Sequence, residues 1–479
     1  MDDSHVVVLG ASLAGMHTAH ALAERGFDVT ILDRDSAPPT ADPLDWVRPG
    51  TPQLQHSHAF LGRYVQHLRT RCPGLLDELL DAGGRLIRRI ERLPAPIADR
   101  APRPEDDELV VLNCRRAVLD GVVRRYVERH PRVRIETGVA ARGLAVTDAA
   151  LPHVTGVVTD DRTWSAALVV DASGRRTRVP RWLADAGITI DDGAAAPCGN
   201  VYYTRHYREL PGAEPQSYAV GFVEPSFLDA MAMVAFPGEH DTFTISMQID
   251  DDDAALRVLQ HPAAFEAAAG AVPAFAPRVD PTRVVPLSGV LVMAGLQNRL
   301  RRLVVDDRPV VTGLAVLGDA LCVTNPTFGR GSGHAVILAE AVADAFTGEA
   351  DEGLTRAVDD ATSRGIAPYF RNALAQDTLT RSRWRAVLYG EEPALDPGLE
   401  AHARAWEQAF LAGFTDRDVW AGVARSGNLL QSPDEMLADP RVAAGIAAAV
   451  ERGLPSMPPG RTRADVLSAV SAVSAVAVG

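Results

Sequence analysis

The chain contains no lysine, so all 48 of its positively charged residues are arginine. This absence excludes Schiff-base catalysis and the phosphate-binding lysine of a P-loop. We attribute it to the codon bias of a GC-rich genome rather than to a site requirement. Cysteine is scarce too, and Cys72, Cys114, Cys198 and Cys322 lie far apart with no CxxC spacing. We therefore expect neither a disulfide framework nor a zinc site, and a cytoplasmic location.

Long apolar runs are also missing. No uninterrupted apolar stretch approaches the ~20 residues needed to span a bilayer, and no basic segment precedes an apolar core near Met1. We expect neither a transmembrane segment nor a secretory leader. The net charge of -14 argues against nucleic acid or an anionic membrane surface as a partner. A chain of 479 residues predicts two or three sub-structures.

The beginning of the chain has the pattern of a dinucleotide-binding βαβ unit. A continuous apolar run at 5–9 predicts a buried parallel strand, 16–25 is rich in helix formers, and 28–32 predicts a second strand. Between the first strand and the helix, Gly10 permits a tight turn and Gly15 lets the helix pack close to the sheet. The helix N-terminus then offers free N–H groups to a pyrophosphate.

Two further residues complete this unit. Asp33 ends the second strand, where its carboxylate can accept hydrogen bonds from the adenosine ribose. Ser12 replaces the middle glycine of the GxGxxG motif and is small enough for close phosphate approach. The alternative is a tight turn with no ligand. Because NAD and FAD both use this unit, it does not decide between them.

A second segment far downstream points to flavin. A predicted strand ends in Gly318-Asp319 and is followed by Asn325-Pro-Thr-Phe-Gly-Arg-Gly331 and a helix. This arrangement resembles the flavoprotein monooxygenases of the para-hydroxybenzoate hydroxylase type. The resemblance implies that Asp319 binds the ribityl hydroxyls of FAD. It also implies that Pro326, Gly329 and Gly331 turn the next helix towards the flavin pyrimidine ring. An ordinary strand–loop–helix is the alternative.

Other family motifs match less completely. Ala172-Ser173-Gly174 stands where the family has Ala-Asp-Gly, so Ser173 replaces an acid that helps to organise the FAD pyrophosphate and the nicotinamide cofactor. This replacement argues against direct binding of NAD(P)H. Arg116, followed by Leu119, matches the Arg-x-x-Leu element whose arginine contacts FAD phosphates. Arg34, beside Asp33, is a further predicted cofactor-binding residue.

The segment from Arg48 to His58 resembles a run found near the flavin in polyether epoxidases and related secondary-metabolite oxygenases. The resemblance implies catalytic positions for Arg48, His56 and His58. The His-x-His pair also fits a metal chelate on one face of a strand, but no third ligand stands nearby, and we predict no metal. Flavin or substrate contact and ordinary hydrogen-bonded histidines both remain open for this pair.

The middle of the chain reads as an antiparallel sheet. Residues 242–249 alternate apolar and polar, which predicts one buried and one polar face. In the family resembled here, such a sheet forms a roof over the flavin and holds the substrate. The candidate substrate-binding residues are Tyr202, Phe222, Met233 and Phe243, with ordinary core packing as the alternative for each.

The sequence therefore predicts an α/β protein: a Rossmann-like FAD-binding domain of the GR2 type, an antiparallel substrate domain and a helical C-terminal region. The expected boundaries are 1–196 and 284–350 for the two parts of the FAD-binding domain, 197–283 for the substrate domain and 351–479 for the helices.

The predicted function is an FAD-dependent monooxygenase that hydroxylates or epoxidises a small apolar or aromatic natural-product intermediate. Molecular oxygen is its co-substrate. Electrons come from NAD(P)H or from reduced flavin supplied by a partner reductase. The halogenase tryptophan signature and active-site lysine are absent. A reductase or dehydrogenase of the geranylgeranyl-reductase type is the main alternative, and a non-catalytic carrier on the same fold is a second.

Overall fold

The computed structural model describes residues 5–36, 43–392, 395–455 and 460–476. The strands in the described parts are β1 His5–Leu9, β2 Asp28–Asp33, β3 Arg85–Arg88, β4 Val110–Asn113, β5 Val133–Thr137, β6 Gly143–Val146, β7 Val154–Val158, β8 Thr163–Ser165, β9 Leu168–Asp171, β10 Ala196–Pro197, β11 Asn200–Glu209, β12 Glu224–Phe227, β13 Met231–Pro237, β14 Thr242–Asp250, β15 Val284–Pro286, β16 Leu291–Met293, β17 Gln297–Leu300, β18 Val304–Val305, β19 Arg308–Pro309, β20 Leu314–Val316 and β21 Cys322–Val323.

The α-helices of the same residues are α1 Leu13–Ala23, α2 Gly62–Arg71, α3 Pro73–Asp81, α4 Arg116–Glu128, α5 Val179–Asp185, α6 Pro262–Gly270, α7 Gly331–Ala345, α8 Glu352–Gly365, α9 Ala367–Tyr389, α10 Pro397–Ala412, α11 Arg417–Gly427, α12 Pro433–Ala438, α13 Pro440–Arg452 and α14 Arg463–Val476. None of these helices is long and apolar enough to cross a membrane.

A parallel sheet with strand order β20-β9-β1-β2-β5 forms the base of the molecule. Its central strand, β1, carries Val6, Val7 and Val8, which are all fully buried. Such continuous apolar runs form strands covered on both faces by helices. Here α1 and α7 pack against each other beside the sheet. Because the strands are parallel, the loops that follow β20, β9, β1 and β2 open at one edge.

A second, antiparallel sheet has the order β12-β13-β14-β11-β15, with β16 paired to β11. One face is apolar and packs against α6 and α14, with Phe265 and Val470 in the shared core. The other face carries the polar residues of β14. The alternation in the sequence predicts this polar face correctly. The polar face is nevertheless buried too, since Thr244 and Ser246 are only 4% and 5% exposed.

Helices α8 to α13 form the region that follows the parallel sheet, and α10, α11, α12 and α13 share a small apolar core. Helix α14 leaves this group and returns to the antiparallel sheet. The four cysteines are buried and free. The predicted fold class is confirmed: a Rossmann-like parallel sheet, an antiparallel sheet and a helical C-terminal region.

Candidate functional site

The turn after β1 is built for close backbone approach. Gly10 has a φ of +98°, and a Cβ there would lie 2.7 Å from the carbonyl oxygen of Ala172. A Cβ on Gly15 would lie 2.0 Å from the carbonyl oxygen of Gly10, so only glycine lets α1 pack this close. Ser12 is the N-cap of α1, and its side chain makes no capping hydrogen bond. The first N–H groups of α1 are therefore available to an anion.

Asp33 lies at the carboxyl end of β2 and accepts hydrogen bonds from the backbone N–H groups of Ala11, at 3.2 Å, and Asp35, at 3.0 Å. The guanidinium of Arg48 donates to the same carboxylate at 2.5 Å. Arg48 also faces Asp35 and lies 3.9 Å from Asp120. Arg48 therefore lies among three aspartates near the carboxyl end of β2. The catalytic role that the sequence resemblance implies for Arg48 stays a prediction.

A charged connection runs from Asp120 to the segment that carries the two histidines. Arg116 Nε donates to Asp120 at 2.5 Å, and its terminal nitrogen donates to His58 Nε2 at 3.3 Å. Both partners of the ion pair are buried. Removing one partner of such a buried pair lowers the free energy of unfolding by several kcal/mol, because the other charge is left uncompensated. Arg34, in contrast, has a side chain that is 51% exposed and lies 4.0 Å from Asp35.

The second glycine-containing turn lies before α7. Asp319, just beyond β20, has no hydrogen-bonding partner among the described residues, and burial raises the pKa of its carboxyl group. Gly329 adopts a φ of +65° and ends the short turn that begins at Pro326. A Cβ on Gly331 would lie 3.9 Å from the Asp319 carboxylate. The N-cap of α7, Arg330, gives the helix no side-chain cap, so these N–H groups also remain free.

A buried network that the sequence analysis missed holds this turn in place. Asn325 donates to Asp377 of α9 at 2.8 Å and accepts a hydrogen bond from the hydroxyl of Tyr202. Asn298 donates to the other oxygen of Asp377 at 2.7 Å and accepts from the backbone N–H of Asn325 at 2.9 Å. Burial raises the pKa of Asp377 to about 6. The network thus joins the second turn to the helical region and to the antiparallel sheet.

Arg330 supplies a second link to α9. Its guanidinium is buried and donates to the carbonyl oxygen of Tyr369 at 2.6 Å and to the side chain of Asn372 at 2.7 Å. It also lies against the rings of Phe328 and Tyr369. Because Arg330 points into α9, its charge is used to anchor the turn rather than to face a ligand.

The middle motif lies after β9, between the two glycine turns. Ser173 donates its hydroxyl to Asp171 at 2.5 Å, and Thr177 donates to the second oxygen of Asp171 at 2.6 Å. Asp171 is fully buried, so its carboxylate holds the loop rather than replacing the missing acid. The neighbouring Arg175 has no ion pair within the described chain, and its charge acts on both Asp319 and His56. Sequence reasoning gave no signal for Arg175.

The polar face of the antiparallel sheet contacts the segment that contains the His-x-His pair. His56 Nδ1 lies 2.9 Å from the hydroxyl of Thr204, which in turn lies 2.6 Å from that of Ser246. Ser57 donates to Thr244 at 2.6 Å. A row of buried, hydrogen-bonded hydroxyl groups therefore joins the sheet to residues 56–57.

His56 and His58 point in different directions. His58 Nδ1 lies 2.9 Å from the carbonyl oxygen of His56, while its other nitrogen faces Arg116. Burial lowers the pKa of His56 to about 4, and burial together with Arg116 lowers that of His58 to about 3. Both rings are neutral at pH 7. Since the two rings turn apart, they do not form a chelate in this conformation.

The four predicted substrate-binding residues separate into two groups. Tyr202 lies on the polar face and donates to Asn325 at the second turn, while Phe222 and Phe236 pack against one apolar cluster that includes Leu61 and Tyr369. Met233 and Phe243 belong to the opposite face, in the core with α6 and α14. The alternation along the strands therefore places these two residues on the apolar face, and their substrate-binding role stays a prediction.

Comparisons with known proteins agree with this architecture. A model described as an NAD(P)-binding Rossmann-like domain matches residues 8–54. Protein Rv3254 of Mycobacterium tuberculosis is 27% identical over 389 residues, which cover 75% of this chain and 77% of that protein.

Solved structures match over nearly the whole chain. The flavin-dependent brominase Bmp2 gives a TM-score of 0.60 at 16% identity, covering 94% of this chain and 98% of that one. The probable FAD-dependent monooxygenase pqsL of Pseudomonas aeruginosa gives 0.53 at 17% identity, covering 80% and 99%. The myxobacterial halogenase CndH gives 0.56 at 16% identity, covering 97% and 98%. The chain therefore has the fold of FAD-dependent oxidoreductases.

Proposed function

We propose that this protein binds FAD and is a flavin-dependent monooxygenase. The observation that carries the proposal is the order of four loops along one sheet edge. Asp319 follows β20, the middle motif follows β9, Gly10 follows β1, and Asp33 ends β2. Three strand spacings of ~4.8 Å separate the first loop from the last by roughly 14 Å, which suits an extended dinucleotide.

The residues present fit FAD at each point of this row. The carboxylate of Asp319 is buried and has no hydrogen-bonding partner among the described residues, which leaves its oxygens able to accept from ribityl hydroxyls. Gly10 and Gly15 leave space where any side chain would collide with the backbone. The uncapped N-termini of α1 and α7 suit the pyrophosphate and the pyrimidine ring of the flavin, respectively. Asp33 lies at the adenosine end, where Arg48 fixes its carboxylate.

Bound FAD would supply the electron transfer and the oxygen chemistry. The chain's own part is to bind, orient and shield. The free N–H groups of α7 would stabilise negative charge on the pyrimidine side of the cofactor. The contact between the sheet and residues 56–57 would exclude water. At this contact, the hydroxyls of Thr204 and Ser246 and the neutral ring of His56 are the hydrogen-bonding groups that would orient a substrate.

A monooxygenase accounts for more observations than the other flavoenzyme classes. The structures with a similar fold include a brominase and a halogenase. This chain has no lysine, so it lacks the active-site lysine on which the sequence analysis excludes halogenation. We infer a small apolar or aromatic substrate because Phe236 lines one small cavity together with His56, Ser57 and Thr244. Secondary metabolism is the setting that the resemblance of residues 48–58 to polyether epoxidases supports.

We propose that a partner reductase supplies the electrons. The loop after β9 presents Ser173, whose hydroxyl is held by Asp171, where related enzymes carry an acid for the nicotinamide cofactor. Direct reduction by NAD(P)H is the competing proposal. A reductase or dehydrogenase of the geranylgeranyl-reductase type is the competing reaction, since it shares this fold.

Anaerobic stopped-flow reduction of the FAD-loaded protein tests these proposals together. We expect slow bleaching with NADH or NADPH and fast bleaching with a flavin reductase. Oxygen labelled with ¹⁸O is then mixed in, in the presence of aromatic and olefinic candidates. Label in the product supports a monooxygenase. Substrate turnover without oxygen contradicts it and favours the reductase, and fast bleaching by NAD(P)H alone contradicts the partner-reductase proposal.

A further inference from the structure

Two histidines and a cysteine meet in the core beneath α1, away from the loops of the proposed cofactor site. His17 lies in α1, His67 in α2, and Cys72 at the junction of α2 and α3. Their exposed fractions are 1%, 1% and 2%. Each residue offers one potential metal-binding atom, and these three atoms all lie within 4.8 Å of one another. His20, one turn further along α1, places its Nδ1 3.7 Å from Cys72 Sγ.

Two of the three separations between these atoms are close to the edges of a tetrahedral metal site, and the third is within 4.8 Å. Zinc–nitrogen and zinc–sulfur bonds of about 2.05 and 2.3 Å place two nitrogen ligands about 3.3 Å apart, and nitrogen and sulfur about 3.6 Å apart. His17 Nδ1 and His67 Nε2 are 3.2 Å apart, and His67 Nε2 and Cys72 Sγ are 3.9 Å apart. The two imidazole planes meet at 89°. Small shifts therefore bring all three atoms onto one ion.

The outward nitrogens of both histidines have partners that fix the ring orientation. His67 Nδ1 lies 2.7 Å from the carboxylate of Glu340, and His17 Nε2 lies 2.8 Å from the hydroxyl of Tyr64. Glu340 is itself held by Arg63. Carboxylates and hydroxyls in this position direct the free lone pair of a ligating histidine towards the metal. With both outward nitrogens protonated, the inward lone pairs of His17 and His67 converge on the same point.

We propose that His17, His67 and Cys72 bind a zinc-type divalent transition metal, with His20 as the nearest donor for the fourth position. Nitrogen and sulfur donors in tetrahedral arrangement select Zn²⁺ over hard cations such as Mg²⁺ or Ca²⁺. On binding, the thiol of Cys72 releases its proton to solvent, and the resulting thiolate bonds to the metal. No change of oxidation state is involved.

A metal at this site would fix the position of α1, the helix whose N-terminus faces the phosphates of the proposed cofactor. His17 is in the first turns of α1, and Cys72 joins α2 to α3, so one ion would tie three helices together. A metal that binds only the folded state stabilises that state by mass action. The competing arrangement is a metal-free chain of hydrogen bonds from Glu340 through His67 and His17 to Tyr64.

Metal titration of the full-length protein distinguishes the metal site from the metal-free chain of hydrogen bonds. The chelator-treated protein is titrated with Zn²⁺, and retained zinc is measured by elemental mass spectrometry alongside the thermal unfolding temperature. We expect one zinc per chain, a rise in unfolding temperature, and a loss of affinity of about tenfold or more in Cys72→Ser. Cys322→Ser removes an equally buried thiol outside the cluster and serves as the matched control, with unchanged zinc binding.

Cobalt substitution in the wild-type protein keeps the test valid if Cys72→Ser fails to fold. Co²⁺ bound by a thiolate gives a sulfur-to-metal charge-transfer band and tetrahedral ligand-field bands in visible light. These bands, displaced by Zn²⁺, support the proposal. Their absence, or zinc retention no greater than in Cys72→Ser, overturns it and leaves the metal-free chain. FAD content is recorded in the same samples, and its presence or absence does not bear on this outcome.

Discussion

Asp377 accepts a hydrogen bond from the side-chain amide of Asn325 at 2.8 Å, across the boundary between α9 and the glycine turn before α7. Asn325 starts that turn, and Asp377 belongs to the helical region. Through this contact, the C-terminal helices hold in place the backbone of the turn before α7. The proposed contacts to the ribityl chain and the pyrimidine ring of the flavin depend on that turn.

Replacing Asp377 by asparagine should weaken FAD binding. An amide presents a donor to one of the two amides that now donate to Asp377, so one buried hydrogen bond becomes a repulsive contact. A loss of about 1–3 kcal/mol corresponds to roughly 5- to 150-fold in Kd. Fluorescence titration of the apo-protein measures it. Asp360→Asn, on the exposed side of α8, is the control and should leave Kd unchanged.

The same carboxyl group makes a defined contribution to the pH dependence of stability. Burial raises the pKa of Asp377 from 3.8 to about 6. Between these values the folded state keeps a proton that the unfolded state has released. The free energy of unfolding therefore falls as pH rises through this window, by up to about 3 kcal/mol from this group.

Urea unfolding of the wild-type protein and of Asp377→Asn at about pH 4.5 and at pH 7 isolates that contribution. The stability advantage of the wild type over the variant should be larger at the lower pH. An advantage that is equal at both values, or larger at pH 7, contradicts a raised pKa.

Arg48 should matter more for stability than for turnover. Arg48→Met leaves Asp33 and Asp35 buried without their cation, which costs about 3–5 kcal/mol. Chemical denaturation measures this loss, and Arg181→Met, whose side chain is 84% exposed in the wild type, should change stability little. If Arg48→Met keeps its stability and FAD affinity but loses turnover, the catalytic assignment implied by the sequence resemblance is the right one.

His56 is expected to act on the substrate rather than on the cofactor. His56→Ala removes the contact with Thr204 and should raise KM while FAD affinity stays close to the wild-type value. With a pKa of about 4, His56 stays neutral from about pH 5 to 8, so the pH profile of kcat/KM should keep its shape in the variant. Loss of an inflection near pH 6.5 on mutation would show that His56 titrates during turnover.

Much of the fold could be predicted because its signals are local. The apolar run of β1, the glycines beside it and the Gly-Asp pair before α7 lie within short segments whose spacing reflects backbone geometry. The alternation in β14 likewise predicts which residues share a face. It does not say which face meets the glycine turns, so it could not separate Tyr202 on the polar face from Met233 and Phe243 in the core with α6 and α14.

The rest depends on contacts between distant segments. Asp377 lies far from Asn325 along the chain. Asn298, which also donates to Asp377, lies in β17. Arg48 reads as part of a catalytic run, yet three aspartates from two other segments determine its environment. The lack of CxxC spacing among the cysteines predicts no zinc site, and it carries no information on His17 and His67, which lie beside Cys72 in the structure. Helix packing brings these residues together without any spacing signal.

Equilibrium titration of the apo-protein with FAD tests the central claim most directly, with Gly15→Ala and Gly289→Ala as a matched pair. A Cβ on Gly15 meets the backbone of the first turn, whereas one on Gly289 meets nothing within 4 Å. We predict one FAD per chain for the wild type and for Gly289→Ala, and strongly weakened binding for Gly15→Ala. A wild-type protein that takes up no FAD, or a Gly15→Ala variant that binds it as tightly as the wild type, would contradict the account.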